Sequence, residues 1–305
     1  MTDELEHVDY ITRRLLKGKV VPVLGAGVNL WKRPPPVFER GRCLPSGREL
    51  ADELARHLGN VKIDSRDLAR VSQYFAVLAG EGPLEEELHE VFDANCPPTP
   101  LHHLLARLAR CVREANRECM LIVTTNYDDS LERAFKKEKE PYELVTYIAQ
   151  GGDRGLFRHI TANGEATTIR IPNKYEKIQL NQRTVIAKIH GSVDSINGDS
   201  FVITEDHYIE YITRADATSL FPATLAAKLR TSHFLFLGYS LRDWNLRVML
   251  YRLWGEQEGK NFNSWAIQKD PDPIDRDSWK KRGVDILTAS VEDFVAAFEQ
   301  GTGSC

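Results

Sequence analysis

Four short apolar runs in this chain each stop abruptly at a glycine or a dense polar cluster, and that pattern limits the fold more than anything else in it. Val20–Leu24 breaks at Gly25-Ala26-Gly27. Residues 121–125 end in Asn126-Tyr127-Asp128-Asp129. Residues 184–189 deliver His190 into Gly191-Ser192, and residues 234–237 run into Gly238-Tyr239-Ser240. A continuous apolar stretch of this length, rich in β-branched and aromatic residues, reads as a strand buried on both faces. Strands of that kind followed by a turn and a helix build a parallel sheet with helices on either side. The expected class is therefore α/β: a Rossmann-like, mostly parallel sheet covered on both faces.

The helical patterns supply the cover. Residues 4–16 carry an apolar stripe (Leu5, Val8, Ile11, Leu15, Leu16) that stops at Lys17-Gly18-Lys19. Ser46 followed by Glu49 reads as a capping box that starts the next helix. From there to about residue 117 the stripes are helical, with Leu50/Leu54/Leu58, Leu68/Val71/Phe75 and Leu84/Leu88/Val91. Pro97-Pro98-Thr99-Pro100 punctuates the block, with Thr99 a cap for the following helix. This block falls between the first two strands. The expected organisation is one domain over 1–305, with a helical insertion subdomain at 47–117 and a Rossmann-like core from 18–46 and 118–300. Within the core, residues 140–203 hold short β-rich pieces at 143–148, 167–171, 184–189 and 201–203. Helices are expected at 128–137, 205–212, 219–230, 243–254 and 291–298, and closing strands at 264–268 and 284–287.

Composition narrows the function classes. The 305 residues include 44 acidic and 40 basic side chains, a formal net charge of −4. That balance argues against a nucleic-acid coat or a polybasic membrane anchor, so direct nucleic-acid binding is not expected. No apolar run approaches the ~18 residues of a membrane span. Residues 1–9 are acidic without an apolar signal core, and a cytoplasmic protein is expected. The cysteines at 43, 96, 111, 119 and 305 lack the paired spacing of a structural zinc site.

In an open α/β sheet, ligands bind outside the carboxyl ends of the strands, so the four strand-end loops are the candidate site. Gly25-Ala26-Gly27 would let backbone N–H groups approach a pyrophosphate, with the dipole of a following helix behind them. It is neither GxGxxG nor a P-loop, and a simple strand–helix turn is an equal reading. Asn126 or Asp128 would cap the helix at 130–137, which leaves unexplained why so many polar groups gather at one strand end. His190 is suited by its ordinary pKa to act as a base near neutrality. Ser240 would cap a helix of its own, with Asp243 in the capping-box position.

Taken together and in order, the loops resemble the sirtuin superfamily: GAG with a small polar residue (Gly25-Ala26-Gly27, Asn29), T-x-N-x-D (Thr124-Thr125-Asn126-Tyr127-Asp128), a histidine–glycine pair (His190-Gly191), and G-x-S (Gly238-Tyr239-Ser240). The resemblance spans roughly residues 18–255. Deacylases of that superfamily carry a four-cysteine zinc module between the histidine and the G-x-S loop, whereas residues 192–232 here contain no cysteine. Asn29 stands where many sirtuins have serine, and residues 31–46 show no counterpart of the deacylases' arginine-bearing cofactor loop. TTNYDDSLE and FLGYSLRD are instead similar to the zinc-free, sirtuin-like domains of bacterial antiphage systems, which hydrolyse NAD.

That resemblance implies an NAD glycohydrolase producing nicotinamide and ADP-ribose, with NAD as substrate and no metal. It implies Asn126 and His190 as the catalytic pair. Gly25, Ala26, Gly27, Asn29, Thr125, Asp128, Gly238, Tyr239 and Ser240 follow as contacts to NAD. An enzyme that depletes NAD must be restrained, which implies a homo-oligomer and, from family habit, pairing with a HerA-type hexameric ATPase. The rival readings are a protein deacylase or ADP-ribosyltransferase using the same pocket, and a non-catalytic NAD or ADP-ribose sensor subunit. Nuclease activity lacks a metal–carboxylate cluster to carry it.

Overall fold

Alternate residues along each apolar run enter different hydrophobic clusters, the arrangement of strands covered on both faces. In the computed structural model, which describes residues 2–33, 38–59, 67–213, 221–239, 241 and 263–302, strand β1 (Val20–Leu24) sends Val21 and Val23 into one cluster and Val20 and Leu24 into the other. Strand β2 (Leu121–Thr124) divides likewise between Leu121/Val123 and Ile122.

The remaining strands are β3 (Tyr142–Tyr147), β4 (Phe157–Ile160), β5 (Ala166–Ile169), β6 (Thr184–Lys188), β7 (Gly191–Ser192), β8 (Ser200–Phe201), β9 (His233–Leu237), β10 (Ser264–Gln268) and β11 (Val284–Thr288). Nine of them form one sheet in the order β11-β10-β9-β1-β2-β6-β3-β4-β5. The seven from β11 to β3 are mutually parallel; β4 and β5 add an antiparallel edge. The Rossmann-like α/β expectation holds. β7 and β8 form a separate small hairpin.

One face of the sheet is covered by α1 (Thr2–Leu16), α5 (Pro100–Glu114), α6 (Ser130–Lys137) and the helix Val291–Thr302, through Ile11, Leu15, Leu105, Val112, Phe135 and Phe298. The other is covered by α7 (Glu205–Thr213), Ala223–Arg230 and Pro273–Lys280, through Tyr211, Leu225, Leu229 and Trp279. A third cluster is built by α2 (Gly47–His57), α3 (Leu68–Ala79) and α4 (Glu81–Phe92), around Leu54, Val71, Phe75, Leu84, Leu88 and Phe92. Tyr127, Phe201 and Ile203 of the core also enter it. α5, which lies inside the 47–117 stretch, buries its face on the sheet rather than among these three helices.

Local departures from the sequence reading have physical causes. β4 alternates buried and half-exposed residues, as an antiparallel strand near an edge does, so it lacks the continuous apolar signal. The Pro273–Lys280 helix has one buried residue, Trp279, but a full start signal: Asp272 caps Ile274 N–H and Asp275 N–H, with proline in the first turn. The expected helix at 243–254 lies outside the described residues, as do 219 and 220 of the stretch at 219–230. The described part of the latter is helical from Ala223, after Pro222.

Candidate functional site

β9, β1, β2 and β6 are adjacent and parallel, so the loops leaving their carboxyl ends meet along one edge. They open onto a cleft of about 790 Å³ lined by Gly25, Ala26, Gly27, Asn29, Thr125, Asn126, Asp128, His190, Gly238 and Tyr239. Every sequence-selected site residue that is described lines it; Ser240 lies outside the described residues. Pro45, Ser46, Gly47, Arg48, Leu50, Leu68 and Phe92 of the helical part add to the wall, joined by Leu30, Tyr127 and, from α7, Tyr208.

Three amides at the glycine loop are engaged within the protein, as the strand–helix turn reading has it. Gly25 N–H donates to Leu237 O (3.0 Å), Gly27 N–H to Gly238 O (2.9 Å) and Val28 N–H to Gly25 O (3.1 Å). These amides are therefore engaged within the protein rather than offered to a pyrophosphate. Residues Ala26–Leu30 form one 3₁₀ turn, too short for the expected helix dipole. The glycines are needed because two backbones interlock. A Cβ on Gly27 would lie 2.7 Å from Gly238 O, and one on Gly25 would lie 2.5 Å from the Tyr239 ring. The longer helix whose N-terminus reaches the cleft is α2, at Ser46, Gly47 and Arg48.

The Thr125–Asp128 loop is organised by short-range bonds. Thr125 N–H donates to Leu24 O (3.2 Å), tying the loop to β1. Asn126 N–H donates to Thr124 Oγ1 (3.0 Å), and its Nδ2 donates to Gly25 O (3.2 Å). Among the described residues no protein group donates to Asn126 Oδ1, which leaves that acceptor for a ligand or water. Asp128 is buried. Its Oδ1 accepts Ser130 N–H (3.0 Å) at the start of α6, whose cap residue is Asp129 rather than the expected Asn126 or Asp128, and its Oδ2 accepts the Asn29 amide (2.9 Å). Burial pushes the Asp128 carboxyl up, but the Lys188 ammonium and the Ser130 hydrogen bonds outweigh it, so its pKa is lowered. A carboxylate with both oxygens engaged is first a fixture for Asn29.

His190 is 3 % exposed yet lines the cleft. Its ring meets Tyr208 and Tyr211 edge-on, at centroid distances of 5.4 and 5.9 Å. Gly191, at φ +87°, lets the chain turn directly after it, and Val202 N–H donates to His190 O (2.9 Å). Two tyrosines from α7 thus hold the imidazole.

Three features escaped the sequence reading. His102 of α5 is buried, accepts Thr99 N–H at Nδ1 (3.0 Å), and is pushed down to about 4, chiefly by burial with Asp128 opposing. Tyr208 is a single aromatic on a helical stripe, with nothing in its spacing to mark it. At the rim, Glu49 accepts Ser46 N–H (2.8 Å) and Phe38 N–H (3.2 Å) and pairs with Arg33. The capping box expected at Ser46 and Glu49 is present, and it also anchors the incoming loop.

Among the described residues, no group of three or more His, Cys, Asp or Glu could hold a metal ion, and no helix is long and apolar enough to cross a membrane.

Fold and cleft together define a Rossmann-like α/β protein with its ligand crevice at the carboxyl ends of adjacent parallel strands. Residues 120–287, more than half of the chain, match the SIR2-like domain. The chain belongs to that family. Defense-associated sirtuin 2 of Bacillus subtilis is 23% identical over 296 residues, which is 94% of this chain and 24% of that protein. The proteins named NAD(+) hydrolase ThsA from Enterococcus faecium and Acinetobacter baumannii (strain 532279) are 28% and 29% identical over 237 and 218 residues. Those matches cover 77% and 70% of this chain and 40% and 37% of the relatives. The chain thus spans between about a quarter and two fifths of the length of these relatives.

Proposed function

We propose that this chain is an NAD glycohydrolase that cleaves the nicotinamide–ribose bond to release nicotinamide and ADP-ribose. The observation that carries the reading is the convergence of Asn126, Asp128 and His190 on one cleft. The relatives named as NAD(+) hydrolases support it.

Glycosyl cleavage passes through a state with positive charge at the anomeric carbon, and needs a placed water and a proton acceptor. Asn126 Oδ1 accepts a hydrogen bond from that water or from a ribose hydroxyl. The water oxygen bonds to the anomeric carbon, the bond to nicotinamide breaks with its electron pair leaving on the ring nitrogen, and His190 takes the proton released by the water. Asp128 keeps Asn29 in place. Each of these steps is assigned to a side chain of this protein.

Within the same proposal, cleavage serves antiphage defence by depleting NAD in the cytoplasm, in keeping with the name of the Bacillus subtilis relative. Control comes from assembly, as a homo-oligomer or with a HerA-type hexameric ATPase. The test is to incubate the purified protein with NAD, alone and with its genomic neighbour, and to identify products by chromatography and mass. Stoichiometric nicotinamide and ADP-ribose are expected. An intact NAD pool under both conditions would overturn the reading.

A further inference from the structure

Lys188 ends β6 two residues before His190, and its side chain is 1 % exposed. A buried ammonium is strongly destabilising unless its protons find acceptors. Here there are three acceptors for three protons: Glu132 Oε1 at 2.9 Å, Asp128 O at 2.5 Å and Tyr127 O at 3.2 Å. Of these three, only Glu132 carries a charge. The other two are consecutive backbone carbonyls of the loop that follows β2.

Those carbonyls belong to the peptide planes on either side of the Asp128 Cα. Peptide planes are rigid, so holding both fixes φ and ψ of Asp128 and with them the direction of its side chain. Tyr127 O also accepts Val193 N–H (2.9 Å), from the chain just beyond β7. Lys188 therefore ties the loop bearing Asn126 and Asp128 to the strand that delivers His190.

We infer that Lys188 is a positioning residue: its ammonium clamps the Tyr127 and Asp128 carbonyls and so sets the Asn126–Asp128 loop against His190. The catalytic consequence rests on the NAD-cleavage reading above; the clamp itself does not.

The experiment compares wild type with Lys188→Met/Glu132→Met, which removes both charges of the ion pair and leaves the buried Asp128 carboxylate to its Ser130 and Asn29 hydrogen bonds. A matched control is Lys228→Met/Glu118→Met. Lys228 is also buried and bonds one carbonyl, Gly18 O (2.7 Å), and one carboxylate, Glu118 (2.8 Å), ahead of β1 and β2. The readouts are thermal melting, hydrogen–deuterium exchange of peptides covering 125–130 and 193, and NAD turnover. The Lys188 double variant is expected to melt near wild type, yet to exchange at least ~10-fold faster in these peptides. Its kcat should fall ~10²-fold with KM within about threefold, the signature of misplacement. The Lys228 control should leave exchange in this loop unchanged.

Wild-type exchange at 125–130 in a folded Lys188 double variant overturns the inference, as does recovery of both melting and turnover. If that variant does not fold, Lys188→Arg retains the ion pair but presents its donors in another geometry. It should show faster loop exchange and a lower kcat, and wild-type values for both overturn the inference. A wild-type protein that cleaves no NAD while the exchange difference stands removes the NAD reading and leaves the clamp.

Discussion

Substituting Gly238 by alanine tests the interlocked loops that form the cleft floor. Gly238 has φ +64°, and a Cβ there would sit 2.3 Å from Val28 N and 2.7 Å from Gly27 C. Gly41 is the natural reference, at φ +79° with nothing within 4 Å of its would-be Cβ. Left-handed backbone costs an L-residue roughly 1–2 kcal/mol, and Gly41→Ala should lose about that much stability. Gly238→Ala bears the same cost and must also push two backbones apart. Overpacking adds about 1–3 kcal/mol, and the Gly27 N–H to Gly238 O bond, worth ~1 kcal/mol net, is stretched or lost. The expected total is about 3–6 kcal/mol. Urea unfolding followed by tryptophan fluorescence and circular dichroism measures both variants, with midpoints compared at a common m-value. Equal losses for the two, within ~0.5 kcal/mol on the usual scale for such substitutions, would refute the interlock.

His190→Ala should lower kcat for NAD cleavage by ~10²–10⁴-fold if the imidazole takes the proton; near-wild-type turnover by a folded variant removes it from the mechanism. Asn126→Ala should abolish turnover while ADP-ribose affinity, read by calorimetry, stays within a few-fold, whereas loss of binding would make Asn126 a binding residue. His102 stays neutral in the folded protein down to about 4, while in the unfolded chain it protonates near 6.5. Protons thus favour the unfolded state, and stability should fall as pH drops from about 6.5 to about 4. That slope should flatten in His102→Gln, and identical slopes in acid unfolding would show that His102 is not the group responsible. Elemental analysis should find no stoichiometric zinc, since the cysteines lack paired spacing; one zinc per chain would revive the deacylase reading.

The strand ends were readable because two independent signals coincide at each: a doubly buried run, and a glycine or polar break. That was enough to locate the cleft. The function of the breaks was less readable, because a glycine needed for φ or ligand approach looks the same in sequence as one needed for backbone contact. At Gly25 and Gly27 the close contact with the Gly238–Tyr239 segment is by itself enough to require glycine. Lys188 and His102 were invisible for a related reason. Their chemistry depends on burial, and a lysine at the end of a strand or a histidine on a helix gives no sign of it until the layers are packed. Tyr208 and Arg33 reach the cleft and its rim from elements distant in the chain, and no local pattern records that meeting.

Tyr127 stands between Asn126 and Asp128 in the chain, but its ring belongs elsewhere. It packs against Phe92 of α4 at 5.0 Å and Phe201 at 5.3 Å, and its hydroxyl donates to Val202 O (2.7 Å). The helical cluster therefore grips the middle residue of the loop whose two neighbours face the cleft. Displacing these helices would move the Asn126–Asp128 loop through the Tyr127 ring, and α7 with Tyr208 and Tyr211 through the Gln73–Asp206 hydrogen bonds. The inserted helices serve as a handle on the cleft as well as its wall.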